Sequence, residues 1–252
     1  MKVSVILPAA GLGTRMARPG STEKSGRKQF LVLDDAPVLI HTIRKFLRCP
    51  SVSEIIVALR HEDLAWVQEL IDALNAEIPI RLTEGGDSRQ ASVKNALALL
   101  APNTELVAVH DAVRPFVEPE LVETVIAEAA RTGAAIAGIV PVDTVKQVHK
   151  HTVRATLQRE HLILTQTPQI FNVALLKEAF AQAAADDFSG TDESSLVERL
   201  EKVEVSVVPG SHRNIKITKP TDLDLARLYL REETTALLSR EQRERLPSPE
   251  HP

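Results

Sequence analysis

The chain has 252 residues, 44% hydrophobic and 25% charged, with 34 acids against 30 bases and a formal charge of −4. These values are ordinary for a folded globular protein and exclude a disordered chain, a collagen and a coiled coil; the mild acidity argues against a duplex-DNA binder. The one cysteine, Cys49, excludes an intrachain disulfide and a four-cysteine zinc site and suits a reducing compartment. No stretch approaches 18 apolar residues, and Met1–Leu7 is too short for a secretory segment, so a cytoplasmic protein with no membrane span is expected.

In chain order, short β-branched runs alternate with helix-period segments. Val3–Leu7 reads as a strand, Pro37–Leu47 as a helix, Ile55–Leu59 as a strand and Leu64–Leu74 as a helix whose Trp66 packs on a helix face. Cys49 falls where the first helix ends and reads as a buried small side chain. Ile78–Leu82 is a strand, Ala91–Leu100 a helix, Leu106–Val109 a strand, Leu121–Ala130 a helix and Ala134–Val140 a strand. The rhythm changes after Pro141. Val142–Leu157 alternates loosely and reads as a projecting hairpin, with His149 and His151 on one strand face as solvated residues. Helices follow at Val173–Ala185 and Glu193–Leu200, then strands at Val203–Val208 and Asn214–Ile217. A last helix spans Pro220–Leu238, with Thr218 or Thr221 as candidate cap. The charged, proline-containing end from Arg240 to Pro252 is expected to be disordered.

The alternation predicts an α/β fold with a Rossmann-like, mostly parallel sheet and helices on both faces. Ligands in such sheets sit beyond the carboxyl ends of the strands, which draws attention to Pro8–Arg15, Gly85–Arg89 and Asp111–Arg114. The first is glycine-rich: Pro8-Ala9-Ala10-Gly11-Leu12-Gly13-Thr14-Arg15-Met16. Glycines let backbone N–H groups approach phosphate oxygens. Met16 stands where the dinucleotide fingerprint needs a third glycine or alanine, and the P-loop's Gly-Lys-Ser/Thr is absent. Arg15, Arg18, Lys24, Arg27 and Lys28 stand against one acid, Glu23, a concentration of charge that suits a triphosphate.

The glycine segment, followed by Lys28-Gln29, resembles the signature of nucleotidyltransferases that join a nucleoside triphosphate to a phosphorylated small molecule. Five further motifs occur in order: Gly85-Gly86-Asp87-Ser88-Arg89-Gln90-Ala91-Ser92-Val93, His110-Asp111-Ala112-Val113-Arg114-Pro115, Thr167-Pro168-Gln169, Thr191-Asp192-Glu193 and Asn214-Ile215-Lys216-Ile217-Thr218. Together they resemble the 2-C-methyl-D-erythritol 4-phosphate cytidylyltransferase family of the non-mevalonate isoprenoid pathway, from Val3 to about Tyr229. The pattern departs at Arg27, where the family often has proline before the lysine, and in the longer connection Ala17–Arg27, so Arg27 and Lys24 are possible stand-ins for Lys28. No Asp-x-His occurs, which suits a monofunctional enzyme.

The resemblance implies attack of the acceptor phosphate on the α-phosphorus of CTP. It assigns Arg15, Lys28, Arg159 and Lys216 to catalysis. Pro8, Ala9, Ala10, Gly11, Gly13, Gly85, Gly86, Asp87 and Ser92 would bind CTP. Asp111, Arg114, Thr144, Thr167, Thr191 and Thr218 would bind the acceptor. It also implies Mg²⁺ or another divalent cation, with Asp111 either its carboxylate or an acceptor for a substrate hydroxyl. Thr144 and Arg159 would serve the neighbouring subunit's site, making the hairpin arm (about 142–160) a dimerisation element of a homodimer. Residues 1–230 are expected to form one nucleotidyltransferase domain, and Ala17–Arg27 to be mobile until CTP orders it. The alternatives are a cytidylyltransferase for a pentitol phosphate such as ribitol 5-phosphate, and a non-catalytic nucleotide-binding module.

Overall fold

The computed structural model describes residues 1–11 and 27–244, with side chains through Ala236. Gly13, Arg15, Lys24 and the expected mobility of Ala17–Arg27, Arg27 itself apart, lie outside the described residues.

The first half is built from β1 (Val3–Pro8), the two-residue strands β2 (Val32–Leu33) and β3 (Ala36–Pro37), α1 (Val38–Phe46), β4 (Val52–Leu59), α2 (Leu64–Asp72), β5 (Ile80–Glu84), α3 (Arg89–Leu97), β6 (Leu106–Val109) and α4 (Pro119–Thr132). Then come β7 (Ala134–Ile139), β8 (Lys146–His149), β9 (Thr152–Thr156), β10 (Leu164–Asn172), α5 (Val173–Ala185), α6 (Glu193–Glu198), β11 (Ser206–Pro209) and α7 (Pro220–Glu244). Seven strands form the central sheet in the order β11-β7-β10-β6-β1-β4-β5. All neighbours are parallel except β10, which runs antiparallel to both β6 and β7.

Alternation within the strands fills both faces, as period-2 geometry requires. Val5 and Leu7 of β1 and Val57 and Leu59 of β4 join Leu39, Ile43 and Phe46 of α1, Val67 of α2 and Val125 and Ile126 of α4. On the other face Ile6, Ile56 and Val107 meet Val93 of α3, Leu176 and Phe180 of α5 and Leu196 of α6. Each such side chain, once fully buried, contributes about 1.5–3 kcal/mol. A smaller cluster of Leu33, Val38, Val113, Phe116, Ile217 and Ala226 docks α7.

Three expectations are corrected, and one strand is unforeseen. Asn214–Ile217 is not a strand: Ile217 N–H donates to the Val113 carbonyl at 3.0 Å and its side chain is buried, so packing under α7 explains the apolar pattern. His151 does not share a strand face with His149; it lies in the β8–β9 turn with φ 63°, after Lys150 at φ 45°. The last helix runs to Glu244 rather than Leu238 and takes in the start of the segment expected to be disordered, through residues that favour helix ahead of Pro247. β10 has no counterpart in the sequence reading: its ladder to β7 breaks between Thr165 and Gln169, around Pro168, a residue that tells against a central strand.

Among the described residues no helix is long and apolar enough to cross a membrane. Cys49 is buried, and burial pushes its thiol up to about 12, so it packs and stays protonated.

Candidate active site

The chain moves from β1 outward through β4 to β5, then returns to place β6 on the other side of β1. This reversal opens a crevice at the carboxyl ends of the strands, where open α/β sheets bind ligands. A cleft of about 470 Å³ lies there. Its wall is made by Pro8–Gly11 after β1, Arg60–Glu62 after β4, Glu84–Arg89 with Ser92 after β5, and Asp111–Val113 after β6, with Lys28, Gln29 and Lys216 closing it.

Two glycines set the shape of the β5–α3 connection. A Cβ on Gly85 would stand 2.5 Å from the Ala10 Cβ and 2.9 Å from Ser92 Oγ; one on Gly86 would stand 2.5 Å from the Ala91 Cβ. Side chains there would push this loop off the β1 loop and off the first turn of α3. The Ser92 hydroxyl accepts from Gly86 N–H at 3.1 Å and donates to the Ser88 carbonyl at 2.9 Å, while Ser88 Oγ caps α3 through Ala91 N–H at 3.0 Å. The β1 loop is held from the opposite side. Gln29 Nε2 donates to the carbonyls of Ala9 at 2.7 Å and Gly11 at 3.0 Å, and Arg60 Nε to that of Ala10 at 3.2 Å. Tying back the carbonyls fixes the orientation of the peptide planes at the cleft.

A second group of side chains converges on Asp111. Its carboxylate lies 2.9 Å from Lys216 Nζ, 3.2 Å from Arg114 Nε and 3.4 Å from Arg89 Nε. Burial alone would raise this carboxyl; the charges of Lys216, Arg89 and Arg114 outweigh that and hold it far below the usual carboxylate range. Arg89 also grips the buried Glu193 at 2.7 and 2.8 Å, so α3, β6 and α6 are tied through one guanidinium. Burial pushes the Glu193 carboxyl up, against the pull of Arg89. Arg114 donates to the Asn214 carbonyl at 2.6 Å, and Asn214 Nδ2 to the Thr167 carbonyl at 2.8 Å. Thr167 Oγ1 accepts the Asp111 N–H at 3.0 Å.

Of the residues singled out from sequence, Pro8, Ala9, Ala10, Gly11, Lys28, Gly85, Gly86, Asp87, Ser92, Asp111 and Lys216 line this one cleft. Arg114 and Thr167 are buried directly behind Asp111. Thr218 is not the cap of α7: its N–H and hydroxyl both donate to Asp222, at 2.7 and 3.0 Å, and the Asp222 carboxylate also accepts the Lys219 N–H at 2.8 Å, so the capping side chain is Asp222. Thr191 is exposed beside the α6 N-cap, Asp192, whose carboxylate accepts from Gln169 at 2.8 Å. Thr144 and Arg159 are exposed at the base of the β8–β9 hairpin and do not line the cleft; Arg159 donates to the Val142 carbonyl at 2.5 Å. Arg27 does not enter the cleft as a stand-in for Lys28: it is buried in an ion pair with Asp63. The sequence reading gave no role to Arg60, Arg89 or Glu193. Arg89 and Glu193 lie within the Gly85–Val93 and Thr191–Glu193 motifs, and their pairing across 104 residues carries no local signal.

The chain is similar to known proteins along most of its length. A family model described as 2-C-methyl-D-erythritol 4-phosphate cytidylyltransferase matches residues 3–232. A protein of that name from Solibacter usitatus (strain Ellin6076) is 59% identical over 242 residues, covering 92% of this chain and 97% of its own. The crystal structure of 4-diphosphocytidyl-2C-methyl-D-erythritol synthase from Anaerococcus prevotii DSM 20548 superposes with a TM-score of 0.80 at 31% identity, covering 91% of this chain and 96% of that one. That of 2-C-methyl-D-erythritol 4-phosphate cytidylyltransferase from Thermus thermophilus gives 0.72 at 34% identity, covering 92% and 100%. With the match running from the first strand into the last helix and taking in every wall of the cleft, the chain belongs to the 2-C-methyl-D-erythritol 4-phosphate cytidylyltransferase family.

Proposed function

We propose that this cleft carries out the family's reaction: the phosphate of 2-C-methyl-D-erythritol 4-phosphate attacks the α-phosphorus of CTP, giving 4-diphosphocytidyl-2-C-methyl-D-erythritol and pyrophosphate. The observation that carries the reading is the convergence of Lys28, Lys216 and the tied-back Pro8–Gly11 backbone on one cleft. The nucleophile is already an anion at neutral pH, so no general base is required. The task is to bring two anions together and align them. Lys28, with Arg15 from the glycine segment, takes the triphosphate and offsets charge developing at the α-phosphorus and on the leaving pyrophosphate; a preorganised group of this kind is worth about 10²–10³ in rate. Gly85, Gly86, Asp87 and Ser92 take the cytosine and exclude the larger purines. Lys216, leaning on Asp111, receives the acceptor phosphate. Asp111 and Arg114, with Thr167, Thr191 and Thr218, serve the acceptor's hydroxyl side.

Nucleotidyl transfer is consistent with a divalent cation, a hard ion that prefers phosphate and carboxylate oxygens. The Asp111 carboxylate already meets three cations, Lys216, Arg114 and Arg89. We therefore read the ion as part of the substrate, entering on the oxygens of CTP, and Asp111 as an acceptor for a substrate hydroxyl. Residues 1–230 form one nucleotidyltransferase unit in this reading, working as a cytoplasmic homodimer. Val142, Val148, Val153 and Leu164 on or beside the arm are all more than half exposed, which supports the arm as the surface that meets a second copy.

The test is pyrophosphate release with CTP and each acceptor in turn. Turnover with 2-C-methyl-D-erythritol 4-phosphate, and little with ribitol 5-phosphate, is expected; the reverse preference overturns the acceptor assignment.

A further inference from the structure

Lys28 opens a single 3-10 turn, Lys28–Phe30, that brings the chain back from the glycine segment. The turn is held at two points. Gln29 ties it to the carbonyls of Ala9 and Gly11. Arg27, the residue before Lys28, turns away from the cleft and is 5% exposed. Its guanidinium meets Asp63 with both Nη atoms, Nη2 at 2.7 Å from Oδ1 and Nη1 against Oδ2. Asp63 is wholly buried where α2 begins, and it also accepts from Trp66, whose Nε1 donates to Oδ1 at 3.2 Å; Arg27 Nη1 lies a further 3.8 Å from the exposed Glu62 carboxylate. The Arg27 guanidinium also lies 5.0 Å from the centre of the Phe30 ring, which stands edge-on to Trp66 at 4.7 Å. A buried bidentate pair of this kind fixes direction as well as distance. Neither partner lines the cleft, yet each is a neighbour in sequence of a residue that does: Lys28 on one side, Glu62 on the other.

We propose that Arg27 is a positioning residue for Lys28: its clamp on Asp63 fixes the turn that sends Lys28 into the triphosphate side of the cleft. This rests on the reading of Lys28 given above. Arg27 stands where the family pattern often has proline, and its φ of −80° is one that proline adopts. The ion pair supplies from outside the backbone the restraint that a proline ring supplies from within.

The experiment measures CTP affinity by calorimetry and kcat/KM in the coupled assay for Arg27→Ala, Lys28→Ala, their double variant, and Arg27→Pro/Asp63→Asn. Arg27→Ala is expected to weaken CTP binding and to lower kcat/KM for CTP by about 10²-fold, the scale of an ångström-level misplacement, with KM for the acceptor unchanged. In the Lys28→Ala background the same change should cost nothing further, because there is no ammonium left to aim. Arg27→Pro/Asp63→Asn removes the charges but restrains the backbone again, and should stay within about tenfold of wild type. Should Arg27→Ala fail to fold, that proline variant carries the test: near-normal constants support the clamp, and a folded protein as impaired as Lys28→Ala overturns it. Losses that add fully in the Arg27→Ala/Lys28→Ala chain also overturn it, since Arg27 would then act independently. A Lys28→Ala chain with normal CTP affinity and turnover would instead overturn the assignment of Lys28, and the clamp with it.

Discussion

His110 stands one residue before Asp111, the carboxylate that gathers Lys216, Arg114 and Arg89, and it is completely buried. Its Nε2 faces the Arg114 carbonyl at 3.2 Å and therefore carries the proton, leaving Nδ1 bare and, among the described residues, without a hydrogen-bond partner; the ring lies edge-on to Phe46 at 4.8 Å. Burial drives its pKa from the ordinary 6.5 to about 3. Between those values the unfolded chain binds a proton that the folded chain refuses. The stability held by the neutral ring is whole above about pH 6.5 and drains away as the pH falls toward 3. Unfolding midpoints of wild type and His110→Gln, measured from pH 7.5 to 4.5, should converge on acidification, with wild type losing up to about 1.4 kcal/mol more per pH unit. Parallel curves would mean that His110 titrates normally. The sequence marks His110 only as part of a motif. Nothing in a string of residues says that a histidine is sealed from water, just as nothing in Arg27 announces a carboxylate 36 positions away. The chemistry-bearing side chains that are legible, Lys28, Asp111 and Lys216, sit at strand ends or in motifs, where position alone carries meaning.

At the scale of elements, the β5–α3 connection is packed closely against the β1 loop. Gly85→Ala sets a methyl group against Ala10 and Ser92, and the β1 loop must yield. Overpacking of this kind costs about 1–3 kcal/mol. The displaced loops should also lower kcat/KM for CTP by about 10²-fold, through misplacement of the nucleotide. Circular dichroism and steady-state kinetics on the folded variant check this; unchanged kinetics would mean that the loop absorbs a methyl group without moving. The helices of the first 140 residues are legible by their helix-period apolar spacing and the central parallel strands by continuous apolar runs buried on both faces: α1 matches the expected helix within a residue at either end, and Leu106–Val109 matches fully, as does Val173–Ala185 in the second half. β10 escapes because Gln166, Thr167, Pro168 and Gln169 interrupt its apolar run with polar groups turned to internal hydrogen bonds. Gln166 reaches the Ser211 carbonyl and Gln169 bridges Asp192 and Ser194. Asn214–Ile217 fails in the opposite sense, since side chains packed beneath α7 imitate strand alternation.

For the whole molecule, the separation of Arg159 from the cleft of its own chain is the central fact. If each site of a two-fold dimer takes its cleft from one protomer and Arg159 from the other, inactive Lys28→Ala and Arg159→Ala chains should rescue each other. Random refolding of an equal mixture makes half the dimers mixed and leaves half of their sites intact, so activity should return to about a quarter of wild type. A mixture that stays inactive with mixed dimers present would confine Arg159 to its own chain. The antiparallel strand β10 bears on how such an arm can be carried at all. Leu164 faces Ile139 across the β7–β10 ladder, so residues 140–163 leave the sheet and rejoin it at the same place. The excursion is a pendant: its two ends are already held together by the ladder, and its length, sequence and even its presence are decoupled from the closure of the sheet. A short turn could bridge that gap, or a foreign hairpin occupy it, with the strand order intact. Recognition of a second copy could thus be altered with the cleft's own walls, on the far side of β6, left in place, provided the exchanged hairpin still presents Thr144 and Arg159 at its base.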